Sequence, residues 1–297
     1  MQSLTKSNKK YVMCPPIFYE RLLHKNMACV CEMIGLACLV ALFMSFSNKA
    51  PYQLKMAIFL IGNGIIVLIC IPFMILRPRD YRNAFGPAWG CRQLCKALGV
   101  TMEIRGLENI RKEHGSVVLM NHQSALDLCV LAYLWPVIGR ATVVSKKEVL
   151  YLPFFGFGSW LWGTLFINRS RKTDSINALQ KESKAINERN CKLLLFPEGT
   201  RNSKETLLPF KKGSFHIALQ SQCPIQPVVI SKYWFLNGEK KIFRPGHAII
   251  HILPEIPTAG SKKEDMDTII EKTHNVMQAE YTKLSQEAKA LNTKKHV

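Results

Sequence analysis

Acidic residues are scarce in this chain: 21 Asp and Glu stand against 40 Lys and Arg, which leaves a formal net charge of +19 over 297 residues. Such an excess indicates an anionic partner, and nucleic acid, an acidic membrane face and phosphate-bearing substrates all fit it. The chain has no block-like basic tail, because its lysines and arginines are spread along the sequence. Hydrophobic residues make up 48% of it, which excludes a disordered polyelectrolyte.

Patterns typical of metal sites and disulfide scaffolds are also missing. Cys91 and Cys95 lie close together, but no histidine or second cysteine pair follows them at zinc spacing. Most of the ten cysteines lie in apolar runs, and a chain of this length can build a core without disulfides. We therefore expect reduced cysteines that act as small hydrophobic side chains, a cytosolic redox environment, and no bound metal.

Charged residues are nearly absent from two long stretches, residues 28–47, which contain only Glu32, and residues 56–76. Each has about the 20 residues that a helix needs to cross a bilayer. Basic residues flank the outer ends, so the positive-inside rule puts both ends of this hairpin in the cytosol. We expect residues 1–82 to form a membrane-anchoring helical hairpin and residues 83–297 a cytosol-facing domain. A hairpin that dips into one leaflet fits the charges equally well, and two buried helices of a soluble protein are a further alternative.

A third uncharged stretch covers residues 149–167 and contains Pro153, Gly156, Gly158 and Gly163. Each glycine costs a helix roughly 1 kcal/mol and the proline about 3 kcal/mol. The pattern therefore favours a segment that is partly embedded in the membrane or lines a tunnel, rather than a third span.

The remainder of the chain alternates short β-branched runs with amphipathic stretches, which predicts an α/β domain around a largely parallel sheet flanked by helices. The predicted strands are residues 100–105, 116–120, 141–144, 165–168, 192–196 and 225–230, and the predicted helices are residues 125–135, 174–189 and 210–220. A further β pair, residues 242–243 with 248–253, precedes a C-terminal amphipathic helix over residues 264–291.

One group of residues that suits acid–base chemistry follows the predicted strand that ends at Met120. His122 lies on the turn into an apolar helix, and Asp127 comes about one helical turn later. A carboxylate at this distance can fix the imidazole tautomer, so that the other ring nitrogen can accept a proton. The spacing alone also fits a surface histidine beside a helix-capping aspartate.

A second group, residues 196–202 with the sequence FPEGTRN, also comes directly after a predicted strand. Ligands of α/β sheets usually bind at the carboxyl ends of strands. Gly199 permits close backbone approach, and the planar guanidinium of Arg201 suits a phosphate. Taken alone this segment is a turn with an exposed arginine, but two such groups at strand ends favour a shared site.

These motifs together resemble the glycerolipid acyltransferase family, and most closely its 1-acyl-sn-glycerol-3-phosphate (lysophosphatidic acid) acyltransferase branch. NHQSALD at residues 121–127 and FPEGTR at residues 196–201 carry the resemblance, with further blocks at residues 146–169 and 208–228. It implies the family's glycerol-3-phosphate acyltransferase-like α/β fold after a hydrophobic hairpin. It also implies transfer of a fatty acyl group from acyl-CoA to the sn-2 hydroxyl of lysophosphatidic acid, with acyl-CoA as a co-substrate and no resident cofactor.

The resemblance also implies a role for each motif residue. His122, oriented by Asp127, would remove the hydroxyl proton, and Ser124 would serve as a nucleophile only in a rival acyl-enzyme mechanism. Fixed positive charge for the acceptor's phosphate would come from Lys146, Arg169 and Arg201. The glycerol and phosphate site would be shaped by Glu198, Gly199 and Thr200. Residues that contact CoA are not identified.

Other acceptors and other functions stay open at this point. The acceptor could instead be glycerol-3-phosphate or another lysophospholipid, and a non-enzymatic protein that binds or shapes membranes would keep the same fold. Nucleic acid is not an expected partner. A shared site for the two motifs requires one side of the membrane, which we expect to be the cytosol. The C-terminal Lys294-Lys295 resembles the dilysine retrieval signal of endoplasmic reticulum membrane proteins, so we expect that membrane as the location.

Overall fold

The computed structural model describes residues 51–167, 186, 188 and 190–294. Four of the predicted features lie outside this part of the chain: the first apolar run at residues 28–47, Arg169, most of the helix predicted over residues 174–189, and the last three residues. The chain divides into two compact units, Met1–Lys49 and Ala50–Val297. The boundary predicted between residues 82 and 83 separates a membrane anchor from a catalytic domain, and it stays a prediction.

Seven of the strands in the described residues form one sheet in the order β1-β9-β6-β2-β5-β3-β4, and β7 and β8 form a separate pair. Neighbours in the large sheet are parallel except β6 and β9, which confirms the predicted largely parallel sheet. The strands are β1 Val100–Arg105, β2 Ser116–Met120, β3 Ala141–Lys146, β4 Leu165–Ile167, β5 Lys192–Leu195, β6 Ile225–Ile230, β7 Leu236–Asn237, β8 Ile242–Phe243 and β9 Gly246–Ile252.

Helices flank this sheet. The α-helices that begin and end within the described residues are α1 Tyr52–Met74, α2 Phe85–Ala97, α3 Asp127–Ile138, α4 Phe155–Leu161, α5 Gly213–Ser221 and α6 Met266–Lys294. The main core lies between the sheet and helices α5 and α6, where Phe215, Met277 and Tyr281 are almost completely buried. Ile186, which is helical, also contributes to this core.

α1 is, within the described residues, the one helix whose length and hydropathy would let it cross a membrane. Its buried residues Phe59, Asn63 and Val67 are spaced four apart, so they form one stripe that packs on the rest of the unit. The other faces expose large apolar side chains, among them Ile61 and Phe73, which are 63% and 75% exposed. A helix with this pattern is suited to a lipid environment on its outer side.

The sequence predicted that the uncharged stretch at residues 149–167 is not a single spanning helix, and the structure agrees. It consists of the end of a 3₁₀ turn at Lys147–Tyr151, the short helix α4, and strand β4. Gly156 is required where these pieces meet, because a Cβ there would lie 2.0 Å from the backbone oxygen of Leu150. The aromatic side chains of Tyr151 and Phe154 are exposed beside this turn.

The predicted β pair between residues 242–243 and 248–253 is wrong. β8 pairs with β7 instead, and β9 lies inside the large sheet between β1 and β6. The physical reason is burial: five of the seven residues of β9 are buried, and such a strand is satisfied only between two neighbours in the core. The two-residue β8 lies nearer the surface.

Candidate active site

The candidate site lies at the carboxyl edge of three adjacent strands. β2 lies between β5 and β6 and is parallel to both, so the loops that follow all three strands leave the sheet at the same edge. His122 follows β2, Glu198 follows β5, and Tyr233 follows β6. The topology therefore brings the two sequence motifs together with a third segment that the sequence did not single out.

His122 and Asp127 form the central contact of this site. The imidazole Nδ1 lies 2.6 Å from Oδ2 of Asp127, and the two side chains are 21% and 3% exposed. Asp127 is the first residue of α3, and its carboxylate also accepts hydrogen bonds from the backbone amides of Gln123 (2.7 Å) and Ser124 (3.2 Å) in the turn before the helix. The carboxylate makes Nδ1 the protonated nitrogen, which leaves Nε2 as the acceptor. No described residue hydrogen-bonds Nε2.

Tyr233 makes a further hydrogen bond to the carboxylate of Asp127. Its phenol donates a 2.7 Å hydrogen bond to Oδ1 of Asp127. Burial, with the nearby charge of Asp127, raises the pKa of Tyr233 well above its usual range, so the phenol stays protonated and remains a donor. Sequence reasoning missed this residue, because it lies 106 positions from Asp127 and only the sheet order brings the two together.

Side-chain amides fix the turn that carries His122. Asn121 exchanges two hydrogen bonds with the backbone of Ile230, at 3.0 and 2.8 Å. The amide of Gln123 donates to the carbonyl of Ser231 at 2.9 Å and accepts from the backbone of Tyr233 at 3.2 Å. These hydrogen bonds connect the end of β2 to the end of β6 and hold the histidine turn in place.

Glu198 is buried, and protein groups occupy both of its oxygens. Oε1 accepts from the backbone amide of His122 at 2.9 Å, and Oε2 accepts from the backbone amide of Leu208 at 2.9 Å. The backbone amide of Asn202 donates to the carbonyl of His122 at 2.7 Å, and the ring of Phe196 stacks on the imidazole at 4.1 Å. The FPEGTRN loop thus holds both the backbone and the ring of His122. The predicted part of Glu198 in the acceptor site stays a prediction.

Beyond Glu198 the same loop turns outward. Gly199 has a φ of +69°, a left-handed conformation that favours glycine, and a Cβ there would lie 2.9 Å from Cδ of Lys211. Thr200 and Arg201 are exposed. The loop therefore presents a cationic side chain to solvent next to the buried carboxylate cluster.

Arg201 lies at the wall of a cavity of about 410 Å³ that borders the histidine turn. One wall comes from α1, through Tyr52, Met56 and Leu60, and another from Lys232, which pairs with Glu205 at 3.1 Å. Further lining residues are Gln123, Ser124, Ala125, Ser203, Tyr233, Leu236, Gly238 and Glu239. The cavity thus combines an apolar wall with basic side chains, which suits an amphiphilic ligand.

Lys146 is the exposed last residue of β3, the strand beside β5, so it ends at the same edge of the sheet as the histidine turn. The structure thus brings together His122, Asp127 and Glu198, and places Gly199, Thr200, Arg201 and Lys146 around the same edge. The roles predicted for these residues stay predictions, as does that of Arg169.

An α/β sheet with a partly buried His–Asp pair at its carboxyl edge agrees with an acyltransferase, and the Acyltransferase family model matches residues 101–231. The bovine 1-acyl-sn-glycerol-3-phosphate acyltransferase alpha is 32% identical over 80% of this chain and 83% of its own length. The human 1-acyl-sn-glycerol-3-phosphate acyltransferase beta is 31% identical over 83% and 89%. The chain therefore belongs to the 1-acyl-sn-glycerol-3-phosphate acyltransferase family, as its motifs predicted.

A solved structure gives independent support for the fold. The 1-acyl-sn-glycerophosphate acyltransferase PlsC of Thermotoga maritima superposes with a TM-score of 0.56 at 20% identity, covering 83% of this chain and 96% of the bacterial one. At that identity the likeness confirms the architecture alone.

Proposed function

We propose that this protein transfers a fatty acyl group from acyl-CoA to the sn-2 hydroxyl of 1-acyl-sn-glycerol-3-phosphate, which yields phosphatidic acid and free CoA. The observation that carries the proposal is the His122–Asp127 pair, whose nitrogen and oxygen lie 2.6 Å apart, on a turn whose residues 123–125 line a cavity with cationic and apolar walls. The acyl donor enters this reaction as a substrate.

The chemistry follows from the orientation of the imidazole. Nε2 of His122 accepts the proton of the acceptor hydroxyl while that oxygen attacks the thioester carbonyl, and Asp127 stabilises the imidazolium that forms. The C–S bond breaks as the tetrahedral intermediate collapses, the CoA thiolate leaves, and it takes the proton from Nε2. Ser124 is not needed as a nucleophile, and its Oγ already accepts a 2.9 Å hydrogen bond from the amide of Leu126.

Acceptor binding relies on charge in this proposal. Lys146, Arg169 and Arg201 hold the phosphate, while Gly199 and Thr200 shape the space beside it. A guanidinium is suited to this task because its planar fork matches phosphate geometry. The exposed position of Arg201 on the cavity wall supports its part.

Membrane attachment completes the proposal. Residues 1–82 anchor the protein as a hairpin in the endoplasmic reticulum membrane, and residues 83–297 work on its cytosolic side. The apolar exposed faces of α1 support this arrangement, because lipid is the environment in which such a surface is stable.

The proposal is tested by an acyl-transfer assay on purified protein, with acyl-CoA and a panel of acceptors that includes lysophosphatidic acid, glycerol-3-phosphate and a lysophospholipid without a terminal phosphate. His122→Ala should lower kcat by about 10²- to 10⁴-fold, the usual contribution of a general base. The exposed His216 gives the matched control, since His216→Ala removes an imidazole that lies outside the site.

Two results would contradict the proposal. If the His122→Ala variant is as active as the wild type, His122 is not the general base. If the protein acylates glycerol-3-phosphate faster than lysophosphatidic acid, the proposed acceptor is wrong. Ser124→Ala should retain most of its activity, and an inactive, folded Ser124→Ala variant would favour the acyl-enzyme route.

A further inference from the structure

Three cysteines that are separated in sequence meet at the interface of α2 and α3. Cys91 and Cys95 are one turn apart on α2, so they lie on the same face of that helix, and Cys129 comes from the first turn of α3. Their sulfur atoms all lie within 4.8 Å of one another. The three residues are 3%, 0% and 0% exposed. The spacing of cysteines along the sequence does not reveal this cluster, because helix packing supplies its third member.

The distances suit a soft metal ion. A cation bound to three thiolates at about 2.3 Å holds the sulfurs about 4 Å apart, so the observed cluster needs only small side-chain shifts to close around it. Thiolates select soft or borderline cations over calcium and magnesium. A disulfide would use two of the three cysteines and leave the third as a free thiol, whereas a metal ion can bind all three.

Charge at the cluster favours a divalent ion. The guanidinium of Arg92 donates a 2.6 Å hydrogen bond to the carbonyl of Ala132, so it bridges α2 and α3 beside the sulfurs. Three thiolates, one guanidinium and a doubly charged cation sum to zero, whereas a singly charged cation would leave a buried negative charge.

Two residues near the cluster also line a surface groove. A groove of about 520 Å³ is lined by Arg92, Lys96, Thr101, Met102, Tyr133, Pro136 and Val137. Two of these residues interact electrostatically with the cluster, Arg92 with Cys91 and Tyr133 with Cys129. The groove therefore brings solvent to residues that lie near the sulfurs.

We propose that Cys91, Cys95 and Cys129 form a binding site for a thiophilic divalent cation of the zinc class. The ion would clamp α2 to the first turn of α3, two residues beyond Asp127. The site is separate from the acyl-transfer chemistry and does not depend on it.

The test measures metal binding by the full chain, purified in detergent with a reductant and stripped with a chelator. The reference variant replaces the four cysteines outside the described residues, Cys14, Cys29, Cys31 and Cys38, by Ala. We expect it to bind one Cd²⁺ with an ultraviolet thiolate-to-metal charge-transfer band, and one Zn²⁺ by elemental analysis. Mutating a residue that hydrogen-bonds to a metal ligand lowers metal affinity about 10–100-fold. Cys95→Ala removes a ligand itself, so it should lower the affinity for Cd²⁺ at least about tenfold.

Cys223→Ala is the matched control, since Cys223 is a buried free thiol outside the cluster. It should leave the band and the stoichiometry unchanged. Equal Cd²⁺ affinity in Cys95→Ala and Cys223→Ala would overturn the proposal, as would a disulfide among the three cysteines found by mass spectrometry of protein kept unreduced. A further test uses the unsubstituted chain, so a variant that fails to fold cannot affect it. Zn²⁺ should raise the Tm of this chain, and an unchanged Tm would also overturn the proposed site.

Discussion

The candidate active site has two halves that are built in opposite ways. In the catalytic half, which comprises His122, Asp127, Glu198 and Tyr233, each carboxylate is buried and each carboxylate oxygen accepts at least one hydrogen bond. In the cationic half, which comprises Lys146, Thr200 and Arg201, all three residues are exposed. Among the described residues, no hydrogen bond or ion pair fixes Lys146 or Arg201.

This difference fits the roles that we propose for the two halves. A general base must hold its orientation before substrate arrives, so its supporting groups are fixed in advance. A cation that receives a phosphate gains its partner only on binding, and until then water is its best solvent. Substitutions in the catalytic half should therefore lower kcat, whereas substitutions in the cationic half should raise KM for the acceptor.

Asp127→Asn should give the largest effect, a decrease in kcat of about 10²- to 10⁴-fold. The amide cannot stabilise the imidazolium, and its N–H₂ group would oppose the backbone donors that now point at the carboxylate. Steady-state kinetics with lysophosphatidic acid measure the effect. Asp267→Asn, at an exposed acid of α6, should be neutral. A decrease below tenfold would show that the pair does not drive catalysis.

Arg201→Ala should come next, with KM for lysophosphatidic acid raised about 10- to 100-fold, as for a charged hydrogen bond of about 1.5–3 kcal/mol. kcat should change little. The same variant should treat an acceptor without a terminal phosphate like the wild type, and Arg244→Ala, at an exposed arginine beyond β8, supplies the control. If kcat falls while KM stays constant, the division of the site into two halves is wrong.

Tyr233→Phe should lower kcat about tenfold, because Oδ1 of Asp127 would lose its phenol donor inside the protein. KM should remain the same, since Tyr233 acts through Asp127 as a positioning residue. The comparison is with Tyr281→Phe, which removes the hydroxyl of another buried tyrosine, bonded to the carbonyl of Lys204. Similar kinetics for the two variants would show that the phenol of Tyr233 only contributes to stability.

Gly199→Ala should have the smallest effect on catalysis and act mainly on stability. An alanine in the left-handed region costs about 1–2 kcal/mol in the free energy of unfolding, and its Cβ would push on the side chain of Lys211. Denaturant titration measures the cost. Gly213→Ala, at the start of α5 with open space around its Cβ, should be neutral or stabilising. A neutral Gly199→Ala would show that the loop relaxes freely.

The sequence predicts the strands of the central sheet well, since β1, β2 and β6 begin and end where their apolar runs do. The complete burial of β2 and β6 makes these two runs continuous and easy to recognise, whereas β1 alternates apolar with polar residues. Pairing is harder, because it depends on contacts far apart in the chain. β9 shows this: its run is plain in the sequence, but its place between β1 and β6 is decided by the sheet.

The site divides in the same manner. The local motif contains His122 and Asp127, so their contact is predictable from spacing within a single turn. Tyr233 and the cluster of Cys91 with Cys129 depend on the packing of separate elements, and no local pattern marks them. Glu198 is intermediate, since its loop is recognisable but its burial is a property of the assembled sheet.

The wall that α1 contributes to the 410 Å³ cavity has a kinetic consequence. Met56 and Leu60 line that cavity, while Ile61 and Phe73 of the same helix project outward. With α1 in a bilayer, a lipid acceptor arrives by lateral diffusion and never crosses bulk water. The rate should then follow the mole fraction of lysophosphatidic acid in the surface, so diluting that surface with inert phospholipid slows turnover even when the amount per volume is constant.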